Sequence, residues 1–461
     1  MVRDRVDEYK GYIDRSYVPS NEDLVCEFFM EPAKGISFES AAQRATSESS
    51  IGTWTDIGTM TPALFNKIAP KIYSLNHKTG IYKVAYHKDL FEAHNVAQIM
   101  SAVAGNLFGM SDVKNIKLMD INFPDSFMKT YSGPMYGVHG IRKLMGVKDR
   151  PFVGTIVKPK VGLNEEQHAK VAYESWVGGC DFVKDDENLT SQPFNNFDKR
   201  IKLTLKARDK AQRETGEKKM YFANVTAPFP EMVRRAKLVM RYGGEYIMVD
   251  VLTIGWSALQ ALKDMDLKVI YHAHRAMHGA FTRNPKHGIS MLVIAKFCRL
   301  IGMDQLHIGG IVGKMYEGQK EVKSVGEEIE QQIVSESIFK HRLQENWHNL
   351  KPMLAVCSGG LCPTQVKPLI HAMGRDIVIQ AGGGIHGHPE GTIAGAMALR
   401  QAVDAEMLGI EPKEYAKSHP ELAAAFEKWD CAIESRAKKK PVKKKKIIKK
   451  KKVVKKAKKK K

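Results

Sequence analysis

No hydrophobic run in this 461-residue chain approaches the ~20 apolar residues that cross a bilayer. A membrane-spanning role is therefore not expected. The opening Met1-Val2-Arg3-Asp4-Arg5 is charged and has no apolar leader core, which argues against secretion. Cysteine is scarce. Cys26, Cys180, Cys298, Cys357, Cys362 and Cys431 are scattered without CxxC spacing. That excludes a disulfide framework or a cysteine zinc site and fits reduced thiols in a cytoplasmic protein. Acid is missing from one region only: Lys438 to Lys461 contains 17 lysines and no Asp or Glu. Subtracting those 17 from the net charge of +21 leaves +4, so the body of the chain is nearly balanced. Residues 431–461 read as a disordered Lys-rich tail that cannot bury a core. It is either an arm for nucleic acid or another polyanion, or a solubilising extension.

What is present is a chain long enough for two domains. Residues 1–145 read as a mixed α+β domain of ferredoxin-like type. Strands are expected at Leu24–Met30, Lys83–Tyr86 and Ile116–Ile121, and helices at Phe38–Arg44 and Asn95–Ala104. Residues 146–430 repeat a strand–loop–helix unit. The expected strands are Phe152–Val157, Asp181–Lys184, Met220–Asn224, Tyr246–Asp250, Val269–His274, Gln305–Ile308, Pro352–Cys357 and Asp376–Gln380. Helical patterns separate them, including a long one over Glu321–Gln344. Eight such units predict an α/β fold with a (β/α)8 TIM barrel; a doubly wound sheet is the alternative.

In a barrel, active groups sit at the C-terminal ends of the strands. Six of the eight ends carry such groups: Lys158 and Lys160; Lys184-Asp185-Asp186-Glu187; His272, His274 and Arg275; His307 and Lys314; Ser358-Gly359-Gly360; and Gly382-Gly383-Gly384. Adjacent carboxylates repel unless a cation lies between them, and Asp and Glu are the oxygen ligands that Mg²⁺ or Ca²⁺ takes. A lysine in such a cluster fits a metal only if it loses its charge or is modified. The glycine loops read as phosphate cradles, and Arg275 with His307 as a second anion site, which together suit a bisphosphate. Three other motifs are discounted. The GxGxxG match at Gly382–Gly387 lies in the last unit rather than the first. The loop Gly309–Lys314 lacks the spacing and the Ser/Thr of a nucleotide-binding loop. His272 and His274 share a strand face but have no third zinc ligand at hand.

Lys158-Pro159-Lys160, Gly179–Asn188, His274–His278, Gly313-Lys314, Ser358–Gly360 and Gly382–Gly384, in this order, resemble the large chain of ribulose-1,5-bisphosphate carboxylase/oxygenase (RuBisCO). Glu48–Trp54 and Gly105–Gly109 are similar to that family's partner-subunit motifs. The stretches 184–191 and 280–288 resemble archaeal form III or intermediate II/III members. The resemblance covers roughly residues 10 to 425. It implies carboxylation, and oxygenation by O₂, of ribulose 1,5-bisphosphate. It also implies that CO₂ carbamylates Lys184, and that the carbamate, Asp186 and Glu187 hold one Mg²⁺. The Lys184 carbamate would be the base, His274 would assist hydration, Lys158 would protonate the final carbanion, and Lys314 would close over the site. One phosphate would meet Lys314, Thr53, Trp54, Gly360, Gly382 and Gly383; the other would meet Arg275 and His307. Lys160, Ser358, Gly359, Gln380 and Ala381 would complete the wall, and Glu48 would pair with Lys314. Glu48, Thr53, Trp54 and Asn106 would come from a second chain, making the unit a homodimer or a multiple of dimers without a small subunit. Nucleotide (AMP) salvage is the implied setting. The alternative is a relative that only enolises or isomerises a sugar phosphate. Cys362, where the family commonly has histidine, Ile156, where plant-type members have threonine, and the tail depart from the pattern.

Overall fold

The computed structural model describes residues 11–53, 55, 58–311 and 318–438, with side chains as far as Asp430. Residues 439–461 lie outside the described residues; residues 431–438, expected as the start of the disordered tail, are a correction, because they continue the helix Pro420–Lys438. Eight parallel strands close into a barrel in chain order: Phe152–Ile156, Phe182–Lys184, Met220–Asn224, Tyr246–Asp250, Ile270–His274, Gln305–Gly309, Leu354–Ser358 and Ile377–Gln380. The expected barrel is therefore correct, and the doubly wound sheet is excluded by the pairing of the eighth strand with the first. Among the described residues no helix is long and apolar enough to cross a membrane.

The pleat explains the sequence of each strand. Alternate residues point into the barrel, and Phe152, Phe182, Phe222, Tyr246, Met248, Val356 and Val378 form one buried cluster there. Their neighbours, such as Val183, Ala223, Val249 and Ile379, pack outward with the surrounding helices. Helix Gly137–Met145 joins the inner cluster through Val138, Ile141 and Met145. It therefore plugs the N-terminal end, opposite the strand ends that carry the polar groups. Asp304 anchors its start by accepting from the Tyr136 and Gly137 N–H groups at 2.6 and 3.0 Å.

The N-terminal sheet has five strands. Four come from the N-terminal segment: Asp23–Pro32, Lys71–Asn76, Ile81–His87 and Val113–Asn122. The fifth, Gly288–Ile289, leaves the barrel after its fifth strand and pairs in parallel with Lys117 and Leu118. The strand Lys71–Asn76 was not expected from the sequence. The long helix expected over Glu321–Gln344 is a correction: helix Gln319–Glu330 stops there, and a short hairpin, Ile333–Val334 with Glu345–Asn346, follows. The helical spacing of apolar residues beyond Glu330 could not reveal that Val334, Leu343 and Trp347 are buried by a chain that doubles back.

A wholly buried ion cluster joins these parts. Lys296 Nζ lies 3.0 Å from Asp120 of the N-terminal sheet, 3.4 Å from Glu345 of the hairpin and 3.8 Å from Glu328 of helix Gln319–Glu330. It also donates to the Ile121 carbonyl at 2.7 Å. One ammonium faces three carboxylates, so burial pushes Asp120 upward and Glu345 up to about 8, against the pull of Lys296. Removing the ammonium leaves buried charge uncompensated, and Lys296→Met should cost about 3–5 kcal/mol of stability in denaturant unfolding. The raised carboxyl pKa also sets a sign. The folded state holds the Glu345 proton more tightly than the unfolded chain, so this contribution is complete at acid pH and is lost as pH rises through about 8. Between about pH 4.5 and pH 8 the wild type should lose stability more steeply than Glu345→Gln.

Candidate functional site

The alternation that turns Phe182 inward also turns Lys184 inward, two residues on. Its ammonium is buried at the top of the barrel. There it donates to the Asp185 carbonyl at 2.9 Å, lies 3.4 Å from Met248 Sδ and 3.9 Å from Glu187 Oε2. Burial lowers its pKa, with Glu187, Asp186 and Asp250 opposing and Lys158 assisting. The two carboxylates that follow are each met by a lysine from the loop after the first strand. Lys158 Nζ lies 2.6 Å from Asp186 Oδ2, and Lys160 Nζ 3.4 Å from Glu187 Oε1. Burial would raise Glu187, but Lys184, His274 and Lys160 outweigh it and hold the carboxyl well below its ordinary value.

Asp185, between these residues, faces the other way. Arg200 Nη2 reaches its Oδ2 at 3.2 Å, His168 Nε2 lies 3.1 Å from its Oδ1, and the Tyr221 hydroxyl donates to the same oxygen. Burial would raise this acid as well, but Arg200, His168 and Tyr221 lower it. Asp185 is thus a structural anion outside the barrel, not part of the mouth.

Across the mouth, His274 Nδ1 lies 2.8 Å from Asp250 Oδ1, and its Nε2 3.7 Å from Glu187 Oε2. Burial and the Lys184 charge lower the imidazole pKa, with Asp250 and Glu187 opposing. Arg275 Nε donates to His307 Nδ1 at 3.0 Å, and burial with the Arg275 charge drives His307 far below its usual value. The chain after the seventh strand turns through Gly359 and Gly360 at φ +126° and +82°, in the region that favours glycine. After the eighth strand, a Cβ on Gly382 would sit 3.1 Å from Lys158 Cε, and one on Gly384 would strike the Leu361 carbonyl at 2.1 Å.

These groups share one cavity of about 410 Å³. Its walls are Lys158, Lys160, Lys184, Asp186, Glu187, His274, Arg275, His307, Ser358, Gly359, Gly360, Gly382 and Gly383, with Ile156 and residues 276–278. Gln380 and Ala381 are fully buried beside it. The Gln380 side-chain amide has no hydrogen-bond partner among the described residues. The Ala381 carbonyl accepts from Thr155 Oγ1 at 2.7 Å. Glu48 and Asn106 bond each other at 2.9 Å in the N-terminal segment, and neither they nor Thr53 line this chain's cavity. Trp54 and Lys314, and with Lys314 the expected Glu48–Lys314 pair, lie outside the described residues.

Among the described residues no three His, Cys, Asp or Glu side chains form a metal site. Asp186 and Glu187 offer two carboxylates, and the neighbouring group is the Lys184 amine. The donor set therefore fits a divalent cation once Lys184 carries an oxygen anion.

Two strand ends were passed over in the sequence. The third strand ends in Asn224 and the fourth in Asp250, both buried. A polar residue at a barrel strand's C-terminal end was a usable signal for both. Arg200, in the first turn of the helix Phe197–Thr215, carried none.

A closed parallel barrel with convergent polar strand ends defines a barrel enzyme class. Comparison with known proteins narrows it. The family model "Ribulose bisphosphate carboxylase large chain, catalytic domain" matches residues 137–429, and the N-terminal domain model of the same chain matches residues 11–127. The chain belongs to the ribulose bisphosphate carboxylase large-chain family. It is 52% identical over 423 residues to the ribulose bisphosphate carboxylase of Methanosarcina acetivorans, covering 91% of this chain and 99% of that one. A dimeric archaeal Rubisco from Hyperthermus butylicus superposes with a TM-score of 0.85 at 44% identity, covering 91% of this chain and 98% of that one. The octameric enzyme from Pyrococcus horikoshii, in complex with sulfate, gives 0.85 at 44% identity over 93% and 98%.

One consequence concerns His274. Its imidazole should titrate below the ordinary value of about 6.5, and Asp250→Asn should move it lower still, because Asp250 is a partner that favours the charged form. Histidine NMR titration of the two proteins checks both the position and the direction.

Proposed function

We propose that the chain carboxylates ribulose 1,5-bisphosphate to give two 3-phosphoglycerates, and that O₂ competes as an oxygenation substrate. The observation that carries this reading is the buried Lys184 amine set between Asp186 and Glu187 in a cavity that also holds Lys158, His274, Arg275 and both glycine loops. Membership of the carboxylase family supports it.

Activation begins at Lys184. Its low-dielectric setting favours the neutral amine, which attacks CO₂; an N–C bond forms and one proton leaves. The resulting carbamate, with Asp186 and Glu187, would hold Mg²⁺, a hard cation that keeps further positions for water and substrate. When bound, the ion supplies Lewis-acid polarisation of a carbonyl and charge stabilisation for an enediolate. The Lys184 carbamate takes the C3 proton. His274, neutral and oriented by Asp250, assists addition of water at C3 after CO₂ has bonded to C2. Lys158 delivers the proton that quenches the carbanion left by C2–C3 cleavage. Before activation Lys158 is held by Asp186, so loading the site also releases the proton donor. Arg275 and His307 bind one phosphate, and Gly360, Gly382 and Gly383 the other. Lys160, Ser358, Gly359, Gln380 and Ala381 form the wall. Glu48, Thr53, Trp54 and Asn106 act from a second chain, with Lys314 closing over the substrate. The active unit is a homodimer or a multiple of dimers without small subunits. We infer nucleotide (AMP) salvage in the cytoplasm as the setting, a reading supported by the archaeal-type stretches 184–191 and 280–288.

Fixation of labelled CO₂ into 3-phosphoglycerate, with ribulose bisphosphate and Mg²⁺ after CO₂ preincubation, tests the reading. The intact protein should turn over and Lys184→Ala should not. Enolisation without fixation would instead mark a relative that stops early. We further propose that the 17-lysine tail binds polyanions. Retention on heparin should fall steeply with salt and vanish on deletion of residues 438–461, with fixation unchanged.

A further inference from the structure

Two adjacent residues of an extended strand point to opposite faces. Asp186 and Glu187 nevertheless both reach the cavity. They do so because the strand ends at Lys184 and the chain turns, with the Leu189 N–H donating to the Asp186 carbonyl at 3.0 Å. A turn of this kind gathers carbonyl oxygens, and something must hold them. Asn224, fully buried at the end of the third strand, supplies the donor. Its Nδ2 lies 3.4 Å from the Asp186 carbonyl and 3.2 Å from those of Glu187 and Leu189. Its backbone N–H donates to Asp185 Oδ2 at 2.9 Å, and its Oδ1 accepts from the Thr226 N–H at 3.1 Å, which fixes the orientation of the amide. From the helix Phe197–Thr215, buried Arg200 ties down the far side. Its Nη2 donates to Asp185 Oδ2 at 3.2 Å and to the Thr190 carbonyl at 2.8 Å, and its Nη1 donates to Asn195 Oδ1 at 2.8 Å. Neither side chain lines the cavity.

We propose that Asn224 and Arg200 are positioning residues that preset the Asp186–Leu189 turn for a divalent cation. The proposal rests on the reading of Lys184, Asp186 and Glu187 as the metal site. Two carboxylates on a free loop must be ordered when the ion arrives, and that ordering weakens binding. Here the turn is clamped from behind by an amide and a guanidinium before any ion binds. Groups that orient a metal's ligands typically govern affinity by about 10–100-fold. The clamp acts on metal loading and not on the phosphate-binding groups, which lie on other strands.

The test uses the whole protein with bicarbonate present and Mn²⁺ as the probe. Free and bound Mn²⁺ are counted by electron paramagnetic resonance, and Mg²⁺ activation is followed by fixation. Asn224→Ala should weaken Mn²⁺ binding by about 10–100-fold and raise the Mg²⁺ needed for half-activation in parallel. The KM for ribulose bisphosphate at saturating Mg²⁺ should stay within about twofold of wild type. Asn224→Ser, which keeps a shorter donor, should fall between the two. A folded Asn224→Ala protein with unchanged Mn²⁺ affinity overturns the inference alone. So does failure of both variants to fold, because the residue is then a scaffold element only. A wild type that binds no Mn²⁺ under these conditions overturns the metal-site reading and this inference with it.

Discussion

A lysine amine buried inside a barrel, beside two carboxylates, is the constraint on which the site depends. A buried ammonium is costly unless it is paired or loses its proton. The protein meets that cost twice over. Glu187 and Asp186 stand close enough to favour the charge, while burial and Lys158 disfavour it. The outcome is an amine that gives up its proton more readily than a solvent-exposed lysine. The same balance governs the carboxylates. Lys158 and Lys160 occupy them in the unmodified chain, so the mouth carries its own counter-charges.

That balance requires geometry that propagates through the molecule. Lys184 points inward only because the strand register puts Phe182 inside, with Lys184 level with Ile156 and Phe222 of its neighbours. Asp185 must then point outward, and a buried carboxylate there needs Arg200, Tyr221 and His168 around it. The inner barrel is apolar at its N-terminal end, where helix Gly137–Met145 closes it, and polar at the other. The change occurs within single strands: Tyr246, Met248 and Asp250 read from plug to mouth, as do Ile270, His272 and His274. Further out, the Lys296 cluster fixes the N-terminal sheet against the helix and hairpin that follow the sixth strand. Residues 280–290, which run from the site's fifth strand to the N-terminal sheet, bind the two parts again.

The barrel was legible because each strand is a short apolar run bounded by turn residues and followed by a helical period. Every one of the eight strands was placed to within two residues. The site was legible because charged residues at strand ends have few structural reasons to be there. The failures have physical reasons as well. Apolar spacing beyond Glu330 suits a helix equally well, and only the packing of Trp347 and the pairing of Ile333 with Asn346 show that the chain reverses. Lys71–Asn76, an edge strand only partly buried, has no clear alternation. Asn224 and Asp250 were passed over because one polar residue at a strand end carries less signal than a cluster.

By itself the sequence determined the eight-unit barrel, the polar and glycine-rich residues at its strand ends and the separation of the lysine tail from a nearly neutral body. These are local properties: period, residue type and spacing along the chain. The tertiary structure decided what lies opposite what. It brought Lys158 onto Asp186, Asp250 onto His274, and Arg200 and Asn224 behind the carboxylate turn. It also left Glu48, Thr53 and Asn106 outside the cavity of their own chain. Those pairings join residues 10 to 39 positions apart on different strands, loops and helices, and only the packing of neighbouring strand–helix units sets their distances.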